Sequence, residues 1–389
     1  MASATREPAR EQGSPLVSED GHMLHKRILA TALLAGACCC LALADALLSP
    51  TFGEPPHYSW MMGPFKKHSA PVFLPSQDGL DNKNVYNMAV IKEDSPLRGE
   101  STTGLSPRAS ARGSTISMIY RGESKGDTPA TNTGRLFLAT SQDGVHFQRH
   151  PEPVMVPEHA YESRGVEDPR LIKVDGTYYL TYTAYDGVLA KLCLATSRDL
   201  MHWEKRGPIF PEFPEANDVS PADWTKSGAI FSERIKEGEF KGKYVMYFGE
   251  SDMWMGYSDD LLHWSYLKEP VIRRRPALGD SRVCEPGPPP IRTREGILLL
   301  YAGDNKTITP YYETFAALFD PSHPNLVLHR AERPILQPTQ DWERKGYIPN
   351  VTFAESLIHD GGKWLLYYGG SDHVIGLAEA PFDPSLMTP

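Results

Sequence analysis

One short pattern returns along this chain: an alternating apolar strand, a Ser-x-Asp turn, then an aromatic that opens the next strand. It stands at Leu136–Phe147 (LFLATSQDGVHF), Leu192–Trp203 (LCLATSRDLMHW) and Met253–Trp264 (MWMGYSDDLLHW), with a looser copy at Ala317–His323 (ALFDPSH). Ser141, Ser197, Ser258 and Ser322 are therefore spaced by 56, 61 and 64 residues. A second series interleaves with it, at Met88–Glu93, Leu171–Thr183, Ala229–Phe248, Ile291–Tyr301 and Ser356–Tyr368. Most of these carry a turn followed by an aromatic-rich strand, as in Asp175-Gly176-Thr177-Tyr178-Tyr179. A unit of about sixty residues built only of strands and turns cannot bury its faces alone and stacks against its neighbours around a channel. The predicted fold is all-β, a five-bladed β-propeller over residues 80–389. The recurring Ser and Asp side chains are read as acceptors for nearby backbone amides in tight turns, so they mark the fold and not a site.

Ahead of the repeats, residues 1–27 are polar and lack an apolar period, which predicts a disordered tail. His25, Lys26 and Arg27 precede Ile28–Leu48, an almost unbroken apolar run of the length needed to cross a bilayer. Charge on that side orients the rest of the chain outward. Ala42-Leu43-Ala44 resembles a signal-peptidase site, so residues 28–48 read as a transmembrane anchor or a cleaved signal. Both readings give an extracytoplasmic protein, membrane-anchored by a single pass or secreted. Residues 49–79 are read as linker and lead-in.

A net charge of −9 and the absence of a Lys/Arg run exclude a nucleic-acid partner, because phosphate backbones select basic surfaces. Of five cysteines, Cys38, Cys39 and Cys40 lie within the apolar run. Cys193 and Cys284 are read as two buried thiols, with a single bridge as the alternative. Asn305-Lys306-Thr307 and Asn350-Val351-Thr352 match the glycosylation acceptor pattern.

Propeller chemistry gathers where the innermost strands meet the channel, and polar residues stand at those strand ends in every blade. They are Asn87 and Arg121; Glu167-Asp168-Pro169-Arg170; Lys226 and Glu250; Glu285 and Asp304; and Asp372. Carboxylates converging from separate blades are the equipment of glycoside hydrolysis, in which one protonates the leaving oxygen and another activates water. Pro169 fixes the backbone beside Asp168.

These motifs bring a family into view. The chain resembles glycoside hydrolase family 130, the mannoside phosphorylases and β-mannosidases, from about residue 80 to 385. The resemblance rests on GVEDPRLIKVDGTYYLTYTAY at 165–185, EPGPPPIRTREGILLLYAG at 285–303, and GYIPNVTFAESLI with WLLYYGGSDHVIGLAEA within 346–380. It implies that Asp168 is the catalytic acid, acting through a hydroxyl of the bound mannose, and that Asn87, Arg121 and Asp372 hold the sugar beside the scissile bond. Phosphorylases of the family carry a His-Arg pair where this chain has Glu250 after Phe248-Gly249, and Gly or Ala where it has Glu285. Lys226 resembles a phosphate-site lysine that stays in place.

The expected activity is inverting hydrolysis of β-mannosides, β-1,2-linked, with Asp168 as acid and Glu250 or Glu285 as base. Arg170, Lys226 and Asp304 join the substrate-binding set, and Tyr182, Tyr185, Trp254 and Tyr301 are candidate stacking surfaces, with most tyrosines of the chain read as blade packing. The partner is a mannose-containing oligosaccharide or glycan, and the membrane if the N-terminal run is uncleaved. No cofactor or metal is implied. The rival readings are a phosphorylase releasing mannose 1-phosphate and a non-catalytic sugar-binding propeller.

Overall fold

The structure, a computed structural model, describes residues 56–94, 114–127, 133–215, 220–305 and 311–387. After a two-residue strand β1 (Lys66–Lys67), the chain builds antiparallel sheets in sequence. Blade one is β2 (Asn84–Asp94), β3 (Ser114–Glu123), β4 (Arg135–Ser141) and β5 (Gln148–Met155). Blade two is β6 (Gly165–Val174), β7 (Thr177–Tyr185), β8 (Ala190–Ser197) and β9 (Trp203–Pro208). Blade three is β10 (Ala229–Phe231), β11 (Tyr244–Phe248), β12 (Trp254–Ser258) and β13 (Ser265–Tyr266). Blade four is β14 (Val283–Pro286), β16 (Ile297–Asp304), β17 (Tyr312–Phe319) and β18 (Val327–Arg330), with β15 (Ile291–Arg292) also pairing β16 beyond the proline run. Blade five is β19 (Thr352–Asp360), β20 (Lys363–Gly370) and β21 (Val374–Pro381), completed by β1.

That closure explains why one repeat occurs five times and the other four. Every blade needs an inner hairpin, but the outermost strand of blade five comes from the N-terminus, so no Ser-x-Asp turn follows β21. The residues read as a linker up to 79 thus include a strand of the last sheet, where Lys66 and Lys67 face Glu379 and Ala378. The fourth turn also corrects an alignment. Asp143, Asp199 and Asp260 each accept from the amides two and three residues on, and so does Asp320. Asp320, and not Ser322, anchors the fourth repeat, and the Asp series runs at intervals of 56, 61 and 60.

Blade faces are dry because neighbours cover them. Ala89, Ile119 and Leu138 of blade one pack on Val166, Leu171 and Leu180 of blade two; Val85, Met88 and Met118 pack on Leu365, Tyr367 and Leu377 of blade five. Strands β11 and β16 are buried along their whole length, whereas the outer β9 alternates half-buried and exposed over most of its length. This is the pattern of sheets covered on both faces at the centre and wetted at the rim.

Four blades share a clamp that the motifs did not reveal. An acid before the first strand accepts from a tyrosine hydroxyl on the second strand and a cation on the outermost. The sets are Asp81, Tyr120 and Arg149; Glu162, Tyr182 and Lys205; Asp280, Tyr301 and Arg330; and Glu343, Tyr368 and Lys67. In blade three Tyr247 instead donates to the Pro324 carbonyl oxygen. Lys67, supplied by the closing strand, occupies the place that Arg149, Lys205 and Arg330 hold elsewhere, 2.7 Å from fully buried Glu343.

Cys193 and Cys284 are free and buried in different blades. Thr352 of the second glycosylation pattern is fully buried on β19, so that pattern is closed to modification in the folded protein. The apolar run 28–48 and its anchor or signal reading lie outside the described residues. Among the described residues no helix is long and apolar enough to cross a membrane.

Ring closure is tested by substitution. Lys67→Ala leaves Glu343 charged and buried, and is expected to lower unfolding free energy by about 3–5 kcal/mol. Lys66→Ala, on the exposed neighbour, should change it by less than about 0.5 kcal/mol in the same denaturant titration.

Candidate active site

Three innermost strands carry a break in register: β2 between Tyr86 and Met88, β6 between Glu167 and Arg170, and β19 between Ala354 and Ser356. The extra residues are Asn87, the Asp168-Pro169 pair and Glu355. A bulge releases a residue from the ladder and re-aims its side chain, here into the channel. Asn87 and Asp168 have φ of 40° and 48°, and Ser227 ahead of β10 has 55°. Side-chain-bearing residues take this left-handed conformation at an energetic penalty, which the surrounding sheet must hold.

Lys226 stands at the centre of what those strands assemble. Its Nζ lies 3.2 Å from Glu285 Oε1, 3.5 Å from Asp168 Oδ2 and 3.7 Å from Glu250 Oε1. Asp168 is therefore less than 6.7 Å from the Glu285 oxygen and less than 7.2 Å from the Glu250 oxygen. Trp224 Nε1 donates to Glu250 Oε2 at 2.7 Å, and the Ser227 hydroxyl donates to Glu285. On the other side of Asp168, Arg121 reaches Glu167 at 2.8 Å, Glu123 at 2.9 Å and Asp168 Oδ1 at 4.0 Å. Its guanidinium lies over the Tyr86 ring, and Asn87 Oδ1 accepts from it at 3.5 Å.

The electrostatics follow from burying more acids than bases. Burial lifts the Glu285 carboxyl to about 7 against the pull of Lys226, with Glu250 and Asp168 adding to the rise. Burial likewise lifts Glu167 and Asp372 to about 7, opposed in each case by Arg121. For Asp168 burial is outweighed by Lys226, Arg121 and Arg170, which hold it below its ordinary range. Lys226 is the reverse case: burial alone would lower it, but Glu250, Glu285 and Asp168 hold its proton firmly. The group binds protons as a unit near neutrality, with Asp168 the most acidic of the shifted members.

Of the residues named from sequence, Asn87, Arg121, Asp168, Lys226, Glu250, Glu285 and Asp372 come together. Asp372 has no hydrogen bond or ion pair to another described residue, and it senses Arg121, Asp168 and Lys226 electrostatically. Arg170 is corrected. It is 1 % exposed, and all three guanidinium nitrogens donate to protein: to Gly287 and Pro286 carbonyl oxygens in blade four, to the Pro169 carbonyl, and to Glu355 in blade five. It ties blade two to blades four and five and, buried among these partners, presents no open face to a sugar. Gly287 also lets blade five come close, since a Cβ there would meet the Ala354 carbonyl oxygen at 2.5 Å. Asp304 is also set apart, buried and accepting from the Tyr311 amide. Tyr182 and Tyr301 belong to the blade clamps and Trp254 to the core between blades two and three, leaving Tyr185, beside Trp224, at the site. Glu355, Trp224 and Ser227 were missed as members of the site. An acid inside the apolar run VTFAESLI was the available signal for Glu355.

The comparisons agree with this architecture. The family described as β-1,4-mannooligosaccharide phosphorylase, glycoside hydrolase family 130, matches residues 106–387. A 1,2-β-oligomannan phosphorylase of Thermoanaerobacter sp. (strain X514) is 38% identical over 270 residues, 67% of this chain and 84% of the relative. A β-1,2-mannobiose phosphorylase of the same organism is 35% identical over 245 residues, 62% of this chain and 74% of the relative. One solved structure has a TM-score of 0.72 and 29% identity, covering 87% of this chain and 99% of its own. It is described with the statement that this family of mannoside phosphorylases contains glycoside hydrolases that target β-1,2 mannosidic linkages in Candida mannan. The chain belongs to glycoside hydrolase family 130.

Proposed function

We propose that this chain cleaves β-1,2-linked mannosides by a single inverting displacement in which water is the attacking group. The observation that carries the choice of water is the enclosure of Lys226 by Asp168, Glu250 and Glu285. A phosphate entering there would meet two added carboxylates at the cation it needs, and like charges a few ångströms apart repel even in a partly wet site. The same carboxylates suit the activation of water. Their oxygens lie at most 6.7 and 7.2 Å from Asp168 across Lys226, at or below the lower end of the roughly 6.5–9.5 Å typical of inverting pairs. In this reading Asp168, ionised in the free site where Lys226 and Arg121 hold its carboxyl low, takes up a proton as the sugar binds and passes it on through a sugar hydroxyl, and Glu250 or Glu285 takes one from water. Asn87, Arg121 and Asp372 hold the mannose. The propeller acts outside the cytosol on a mannose-containing glycan, a placement supported by the apolar run at 28–48.

Phosphorolysis is the second reading, and the names of the relatives favour it over hydrolysis. The curated relatives are named phosphorylases, and Lys226 stands as a cation that a phosphate could use. Product analysis separates the two. The soluble part from about residue 55, incubated with β-1,2-mannobiose, is expected to release free α-mannose at the same rate with and without phosphate. Mannose 1-phosphate formed only when phosphate is supplied would establish the second reading.

Two further outcomes follow from the proton inventory. Asp168→Asn removes a general acid, and its kcat should fall by about 10²–10⁴. A base whose carboxyl titrates near 7 is protonated and idle below that pH. The kcat/KM of the wild type should therefore fall with acidification below about pH 7, tenfold per unit at the limit. A profile flat from pH 5 to 8 would exclude Glu285 as base.

A further inference from the structure

Glu355 sits on the bulge of β19, fully buried, and one of its oxygens serves two functional neighbours. Oε1 accepts from Asn87 Nδ2 at 3.0 Å and from Arg170 Nη1 at 2.9 Å. Arg170 in turn holds the carbonyl oxygens of Pro286 and Gly287, the residues that follow Glu285. The second oxygen, Oε2, is buried without a hydrogen-bond partner. An asparagine amide can sit either way round, and its partners decide which end faces where. An acceptor beneath Nδ2 turns Oδ1 of Asn87 toward Arg121, where it accepts at 3.5 Å.

We infer that Glu355 is a positioning residue for the glycosidase reaction, fixing the orientation of the Asn87 amide and, through Arg170, the loop that carries Glu285. It is fully buried and acts through Asn87 and Arg170, and the inference rests on the assignment of Asn87 to the sugar. Burial, opposed by Arg170 and reinforced by Asp168 and Glu285, lifts the Glu355 carboxyl to about 8. A glutamine keeps an oxygen at the Oε1 position and can reproduce the contacts to Asn87 and Arg170.

The test is a double-mutant cycle on the soluble propeller with β-1,2-mannobiose, run with phosphate present so that either attacking group is served. Glu355→Ala should raise KM by about tenfold or more, with a smaller effect on kcat, because a group acting through a sugar contact changes binding first. Glu355→Gln should bring KM back to within about threefold of the wild type. Asn87→Ala should also raise KM, and adding Glu355→Ala to it should change KM by less than about twofold, since residues acting through one contact are not additive. Where Glu355→Ala fails to fold, having taken an acceptor from the buried Arg170 guanidinium, Glu355→Asp withdraws the oxygen by one methylene and completes the same cycle. A glutamine variant as impaired as the alanine variant overturns the inference, as do effects that multiply in the Asn87→Ala background. An Asn87→Ala enzyme with unchanged KM would instead remove Asn87 from the sugar site, and the inference with it.

Discussion

The site is organised around a half-buried ammonium with more counter-charges than it needs. A lysine withdrawn from water requires a partner, and removing a sole partner from such a pair is strongly destabilising. Lys226 has three, Asp168, Glu250 and Glu285, each from a different blade or blade junction. The surplus of negative charge keeps Lys226 protonated, while burial lifts the Glu285 carboxyl to about 7. On the proposed reading it also favours water as the attacking group, since a neutral water enters without adding charge and a phosphate does not.

Holding that many acids in one place demands a stiff frame, and the propeller supplies it at two levels. Around the outside, the acid–tyrosine–cation clamps tie inner and outer strands within four blades, with Lys67 making the last one across the chain's start and end. At the centre, Arg170 crosses from blade two to blades four and five and ties them together. The bulges of β2, β6 and β19 then turn Asn87, Asp168 and Glu355 inward from otherwise regular strands. Rigid sheets carry the position and local irregularity carries the aim.

Much of this was legible in the residues. The five inner hairpins announced five blades because a strand-turn-strand unit that repeats must stack. Asp168, Lys226, Glu250 and Glu285 were legible because they interrupt apolar strand ends where burying a charge needs a reason. The rest depended on contacts that sequence order hides. Arg170 looked like a sugar ligand because it follows Asp168 by two positions, but the bulge there sends it to the Gly287 carbonyl, 117 residues away. Lys67 meets Glu343 across 276 residues, so nothing local marked β1 as part of a sheet. Ser322 was matched to the wrong turn position because Asp320 alone does there what Ser and Asp share elsewhere.

The central claim is that the Lys226 charge is already satisfied, which leaves no place for a phosphate. Calorimetric titration of inorganic phosphate into the free propeller at pH 7 tests it most directly. The account predicts no saturable binding at millimolar phosphate. Saturable binding that disappears in Lys226→Ala would contradict it and make phosphate the attacking group.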